Sequence, residues 1–230
     1  FGYLTYDADA APCTLDTIFD LASLTKPLVT VTSILLLLQS GQIQLDDPVK
    51  ALLVELSDSA VGKATTADLL THCSGLPGWR PLYERLDAKG LRRERVDSAS
   101  INPALLELIG KEPLIYERGS RSLYSDLGFI LLGLMIERVT GRSLDRWYRE
   151  AVTGPLHIRD LLFRPVGIRA ADSTIVDPAS VAPTEYDSRR NRMLQGEVHD
   201  DNAAAMGGVA GHAGLFGTAE GVLAVSHTWL

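Results

Sequence analysis

Apolar positions along this chain fall in short runs separated by polar, glycine and proline clusters, and two of the runs stand out. The first, Val29 to Leu38, is apolar nearly all round. That pattern marks a helix enclosed by the rest of a domain rather than one lying on its surface. With Gly41 as the stop, it predicts a helix from about Ser23 to Gln39, and Pro27 is tolerable there because it lies in the first turn. The second run, Ser125 to Thr140, is apolar at Leu127, Ile130, Leu131, Leu134 and Met135 and is closed by Gly141. It predicts a second buried helix.

The remaining pattern predicts smaller elements. Phe1–Tyr6 alternates well enough for an edge strand, and Thr17–Leu21 is a second strand candidate, so the pair reads as an antiparallel hairpin. Short helices are predicted near Val49–Val54, from a Thr65 cap, around Leu82–Lys89, from Asn102-Pro103 to Ile109, from a Ser143 cap to Val152, and over Asn202–Met206. Ser74-Gly75-Leu76-Pro77-Gly78 is a strong breaker. Residues 158–201 read as loop, a length that usually signals function or a lid. A glycine-dense stretch, Gly207–Gly214, precedes a last helix capped by Thr218 and expected to run to Leu230. Helices abound, but the good strands all lie near the N-terminus. Two strands do not make a stable sheet, so the closing strands are expected to lie outside this sequence, with the chain truncated at both ends.

Composition narrows the function classes. The net charge of −7 and the lack of a basic stripe argue against a nucleic-acid partner. The apolar run around Ile34–Leu38 reads as too short and interrupted for a membrane span. No signal peptide is visible. Cys13 and Cys73 have no metal-type spacing and read as two separate thiols, and no metal or cofactor is expected.

Candidate chemistry sits at the heads of the two buried helices. Ser23 and Lys26 form the only Ser-x-x-Lys in the sequence. Residues i and i+3 share a helix face, and the first turn offers unpaired N–H groups and positive potential. An alkoxide on Ser23 would be stabilised there, and a desolvated Lys26 could accept its proton. Taken alone, Ser23 reads first as an N-cap. Tyr124-Ser125-Asp126 heads the second helix. A tyrosine beside an ammonium and a helix N-terminus is a candidate proton carrier, although a capping serine after a core tyrosine explains the same residues.

Together the two spots resemble the serine beta-lactamase and penicillin-binding superfamily, in which Ser-x-x-Lys is a signature. The tyrosine version looks like the class C branch, with its beta-lactamases, D-Ala-D-Ala carboxypeptidases and esterases. The phrases FDLASLTKPLVTVTSILLLLQSGQIQLDDPV, ATTADLLTHCSGLP, YSDLGFILLGLMIERVTG and GGVAGHAGLFGTAEG are similar to the family's text, so the resemblance runs from about Thr17 to Leu230. It implies an α+β fold of the beta-lactamase/transpeptidase type, a helical region packed on an antiparallel sheet. Residues 1–230 would be one partial domain: a hairpin (1–22), a helical region (23–157), a loop-rich segment (158–217) and a final helix (218–230).

The resemblance also implies roles. Ser23 would be acylated, Lys26 would assist proton transfer, and Tyr124 would complete the relay and protonate the leaving group. Asp126 stands where asparagine is more usual and would contact Lys26 and substrate. The Ser23 N–H would hold part of the oxyanion. His212-Ala213-Gly214 looks like the family's third motif but is followed by a helix rather than a strand, so that motif is expected beyond Leu230, leaving His212 as a substrate-binding candidate that lines the cleft from the glycine-rich loop. The implied partner is a small-molecule or peptidoglycan-like substrate, in a periplasmic or secreted setting. The implied reaction is hydrolysis of an amide, beta-lactam or ester through an acyl-enzyme. A non-hydrolytic penicillin-binding or sensor module, or an inactive fragment, is the alternative.

Overall fold

The structure is a computed structural model that describes residues 2–91, 98–165 and 180–230. In chain order its regular elements are β1 (Phe19–Asp20), α1 (Thr32–Gln39), α2 (Val49–Leu52), α3 (Thr66–Leu70), α4 (Leu82–Ala88), α5 (Ser98–Gly110), α6 (Asp126–Thr140) and α7 (Leu144–Tyr148). They continue with β2 (Leu161–Phe163), β3 (Tyr186–Asp187), β4 (Arg192–Met193), α8 (Asp201–Ala205), β5 (Leu215–Gly217) and α9 (Ala219–His227). This is the α+β arrangement expected.

Helix α6 is the hub. Every residue from Leu127 to Ile136 is buried. It packs against α1, α2, α3, α5, α7 and the Lys26 segment. The ends follow from sequence. Ser125 caps it by accepting the Gly128 N–H, and Gly141 closes it in the left-handed region at φ 65°. The caps at Thr65, paired with Asp68 in a reciprocal capping box, and at Thr218 also form. Helix α5 begins at Ser98, earlier than Asn102, and runs through Pro103. Burial of Ile101, Leu105 and Ile109 outweighs the hydrogen bond that the proline removes.

The sheet differs from the expected hairpin. Residues 2–6 form no strand. Tyr3 makes only an isolated bridge to Pro12. β1 pairs instead with β5, Phe19 opposite Gly217 and Asp20 opposite Phe216, and β5 pairs with β2, Leu161 opposite Gly217 and Phe163 opposite Leu215. Both pairings are antiparallel, and β5 lies in the middle. The partner strands come from distant parts of the chain, so no local turn signal announces them. The 158–201 stretch accordingly holds β2 and the β3–β4 hairpin rather than loop alone, and residues 166–179 lie outside the described residues. Gly214 leads into a strand, not directly into a helix, and α9 closes at His227 rather than at Leu230.

The first buried run is also not one regular helix. Ala22–Leu24 is a 3-10 turn, Lys26–Val31 winds with π-type hydrogen bonds, and α-helical geometry starts at Thr32. Such wide turns concentrate at functional sites. From Ala22 to Gln39 this helical run is long and apolar enough to cross a membrane by length and composition, beyond the sequence expectation. Yet half of its most apolar window is buried inside the fold, as in a core helix.

A glycine contact locks the strap before β5 onto the hub. A Cβ on Gly211 would lie 2.2 Å from the Phe129 carbonyl oxygen, and one on Gly133 would lie 2.9 Å from the Gly211 nitrogen. Gly211→Ala should therefore destabilise the protein by about 1–3 kcal/mol through overpacking. Thermal unfolding should register a Tm lower by roughly 2–4 °C per kcal/mol at this chain length. An unchanged Tm would show that the strap can move away from α6.

Candidate active site

Ser23 sits in the 3-10 turn after β1 and is exposed. It is not an N-cap: the cap position falls on Leu21, and no side-chain cap bond forms there. The turn is held open by Ala22 at φ 45°, an unusual conformation for a residue with a Cβ. Asp20 stabilises it by accepting the Ala22 N–H at 2.9 Å, and Thr25 Oγ1 donates to the Ala22 carbonyl at 2.7 Å. The turn thus lifts Ser23 into solvent and drives the next turn inward.

Lys26 is the inward residue, 3% exposed. Its Nζ donates to Ser23 Oγ at 3.0 Å and to the His212 carbonyl at 3.1 Å, and it lies 2.7 Å from Asp126 Oδ1. The approach to that carboxylate is off the hydrogen-bonding direction, so the contact is an ion pair. Three elements, the Ser23 turn, the head of α6 and the strap before β5, therefore converge on one buried ammonium.

The strap is fastened along the Ser23 helix at every step. Gly211 O accepts from Thr30 Oγ1 at 2.6 Å, the Leu215 N–H donates to Thr25 Oγ1 at 3.1 Å, and the Leu21 N–H donates to the Leu215 carbonyl at 2.9 Å.

Tyr124 stands at the mouth, 53% exposed, so it is not a core tyrosine. Lys26 Nζ lies 4.7 Å from its ring centre. Among the described residues its hydroxyl makes no hydrogen bond, so the expected contacts to Ser23 and Lys26 are not formed in this state. The ring is placed by His72, whose own ring lies 4.6 Å away. His72 accepts the Ser125 N–H on Nδ1 at 3.0 Å. Burial first, and the Lys26 charge second, push its pKa down, which favours the neutral ring that this acceptor role needs. Ser125 serves the scaffold, donating to the Pro77 carbonyl at 2.8 Å while capping α6.

His212 enters differently from the cleft-lining expectation. Its ring is 1% exposed and its Nε2 lies 2.9 Å from Asp200 Oδ1; the backbone carbonyl is the part that reaches Lys26. Burial opposes charge on Asp200. The His212 ring, the Ala203 N–H and the Lys26 charge outweigh it and hold the carboxyl well below the usual aspartate range. Sequence reasoning missed Asp20, His72 and Asp200. Asp20, three residues before Ser23, and His72, beside the breaker cluster, lay near motifs, and Asp200 did not. Cys13 and Cys73 are both free.

The chain is similar to known proteins in sequence and in fold. A protein-family model described as Beta-lactamase matches residues 1–228. The chain is 32% identical over 237 residues to the Escherichia coli (strain K12) protein named "Putative D-alanyl-D-alanine carboxypeptidase", covering 94% of this chain and 51% of that one. It is also 32% identical over 216 residues to the N-acetylmuramyl-L-alanine amidase of Bacillus subtilis (strain 168), covering 89% and 48%. The chain thus spans about half the length of the curated relatives it matches. Among solved structures, a penicillin binding protein from Bacillus halodurans superposes with a TM-score of 0.70 at 20% identity, covering 99% of this chain and 64% of that one. A class C beta lactamase from Rhodobacter sphaeroides superposes with a TM-score of 0.66 at 25% identity, covering 98% and 54%.

The buried pair has a stability consequence. Removing one partner of such a pair costs about 3–5 kcal/mol, whereas replacing both by apolar groups can be neutral. Asp126→Ala should therefore lower stability markedly in urea unfolding. The Lys26→Met, Asp126→Leu double variant should recover most of the loss. Equal stability of Asp126→Ala and wild type would mean that the ammonium finds its charge compensation elsewhere.

Proposed function

The chain belongs to the beta-lactamase family, and from that premise we propose that it supplies the nucleophile and proton carriers of a serine hydrolase acting through an acyl-enzyme on Ser23. The observation that carries this reading is the exposed Ser23 hydroxyl 3.0 Å from the buried Lys26 amine. A hydroxyl is a weak nucleophile until a neighbouring base takes its proton, and the base must lie within hydrogen-bond reach.

The steps balance as follows. The resting Lys26 ammonium first gives one proton to solvent; Ser23 Oγ then attacks the substrate carbonyl carbon, and its proton passes to the neutral amine so formed. The ammonium that forms arises 2.7 Å from the Asp126 carboxylate, so its charge is stabilised as the transition state develops. The Ser23 N–H supports the oxyanion. Tyr124 then gives its hydroxyl proton to the departing nitrogen or oxygen and is reprotonated from Lys26, leaving Ser23 as an ester. Water hydrolyses that ester and regenerates the serine. Tyr124 reaches the leaving group from its exposed position once substrate fills the mouth. Hydroxyl contacts of this kind often tighten only in the substrate complex.

Asp126 also bears on substrate. A carboxylate beside the nucleophile disfavours an anionic group there and suits a neutral amide. The relative named as an amidase points the same way, to a neutral amide of the peptidoglycan type as first choice, with esters as surrogates, whereas the relative named as a carboxypeptidase acts beside a terminal carboxylate, which Asp126 opposes.

The test is covalent labelling followed over time in the full-length protein. A fluorophosphonate or a labelled penicillin should modify Ser23, as read by peptide mass spectrometry, and Ser23→Ala should abolish it. Turnover of a chromogenic ester should fall by on the order of 10⁴–10⁶ in that variant. Loss of the penicillin adduct with time indicates a hydrolase, and a lasting adduct would replace hydrolysis with a binding or sensing role. Labelling at any residue other than Ser23 would sink the assignment.

Tyr124→Phe should slow acylation by about 10²–10⁴, the range for a lost general acid–base. The defect should be larger for an amide than for an ester whose leaving group needs no proton. An equal loss for both substrates would remove Tyr124 from the leaving-group step.

A further inference from the structure

The carbonyl that holds Lys26 belongs to a residue whose side chain is anchored at a single point. The His212 ring is buried, Nε2 lies 2.9 Å from Asp200 Oδ1, and Nδ1 is buried without a partner. Among the described residues Asp200 is therefore the one polar group that fixes the ring. Asp200 is itself held: its Oδ1 accepts the Ala203 N–H at 2.7 Å and caps α8. Its neighbour His199 donates its main-chain N–H to Asp20 Oδ2 at 2.8 Å, and Asp20 Oδ1 accepts the Ala22 N–H of the turn that presents Ser23.

These bonds close a circuit. It runs from the Ser23 turn through Asp20 to the 199–200 loop, from Asp200 to the His212 ring, from the His212 carbonyl to Lys26, and from Lys26 back to Ser23 Oγ. A buried histidine–aspartate pair with a strained nucleophile turn at one end and a buried lysine at the other exceeds what packing the strap requires. Gly211, Thr25 and Thr30 already fasten that strap to α6 and to the Ser23 helix.

We propose that Asp200 and His212 are positioning residues for Lys26: Asp200 orients the His212 ring so that the backbone carbonyl meets Nζ, and its carboxylate adds a second negative charge facing the ammonium. The proposal rests on the reading of Ser23 and Lys26 as nucleophile and base. The other groups around Lys26 are Asp126 and Tyr124 at the head of α6 and His72 from the segment after α3. Asp200 in turn faces Asp20 as well as His212. Asp126 lies 2.7 Å from the ammonium and the Asp200 charge acts on it from beyond ion-pair reach, so removing either carboxylate takes away part of what favours the charged form.

The consequence is specific. Asp200→Ala removes the oxygen that meets both the His212 ring and the Ala203 N–H, together with the charge. It should reduce the rate of Ser23 labelling by about 10- to 100-fold, the scale of a small misplacement of a catalytic group. It should also move the acid limb of the labelling pH profile to lower pH. His212→Ala should show a similar rate loss, His212→Gln should recover part of it by restoring a donor toward Asp200, Asp200→Asn, which keeps the oxygen, should retain most of the rate while still moving the pH limb, and the His212→Ala, Asp200→Ala double variant should be no worse than the poorer single one.

The experiment measures fluorophosphonate labelling of Ser23 against pH in the full-length protein, with Tm recorded for each variant. If wild type is labelled and the variants match it in rate and pH profile, the proposal is overturned while the nucleophile assignment stands. It is equally overturned if rates fall only in proportion to the folded fraction with the pH limb unmoved, because that is a structural role. If wild type is not labelled, the assignment of Ser23 fails and this inference fails with it.

Discussion

A buried ammonium is the constraint around which this protein is arranged. Moving an unpaired charge out of water costs several kcal/mol even after relaxation. Lys26 is almost wholly enclosed, so the fold must surround it with acceptors. It does so from three directions: a carboxylate at the head of α6, a carbonyl from the strap before β5, and the hydroxyl of Ser23. None of the three elements is adjacent to another in sequence. The site therefore cannot form before the tertiary fold does, and breaking it loosens the junction of all three. The same side chain joins three structural elements and is the candidate base, so on the proposed reading stability and reactivity are coupled at this position.

The second constraint is close backbone approach. The strap can deliver the His212 carbonyl to Lys26 only if it lies against α6, and it lies there only because Gly133 and Gly211 leave no side chain between them. Gly214 serves the same end at the other side of the strap. At φ 111° it turns the chain where a Cβ would lie 2.3 Å from the Gly208 carbonyl oxygen. From this turn β5 enters the sheet between β1 and β2. The glycine-dense stretch is thus a geometric requirement of the site rather than a flexible linker.

The parts of this structure legible in the sequence are those with local causes. The two buried helices, the caps at Thr65, Ser125 and Thr218, and the stop at Gly141 follow from propensity and hydrogen-bonding chemistry within a few residues. Ser23 and Lys26 were legible as a pair because their spacing is itself local. The sheet was not. β2 and β5 are each three residues long and lie in loop-like text, and their register is set by chain segments far away in sequence. Ser23 reads as a cap because serine at a helix head usually is one. Ala22 at a positive φ overrides that reading, and no residue preference announces it. Asp20 and Asp200 were invisible for a related reason. Asp20 ends β1 and Asp200 caps α8, but the partners that give each its place in the site are brought to it by the fold.

The two candidate proton carriers are held in opposite ways, and the difference follows from what each must do. A base that takes a proton from a hydroxyl must be fixed relative to that hydroxyl before substrate arrives, since distance decides proton transfer. Lys26 meets this requirement through burial and three partners. A group that protonates a leaving atom must instead meet an atom absent from the resting site. Tyr124 is accordingly exposed, placed by the stacking of its ring near His72 and Lys26 rather than by any bond to its hydroxyl. The free hydroxyl is then compatible with the relay, because in the resting state there is no leaving group for it to meet. The candidate nucleophile lies between these extremes: Ser23 shares the exposure of Tyr124 and the hydrogen bond of Lys26, a combination produced by one strained residue, Ala22, at the junction of strand and helix.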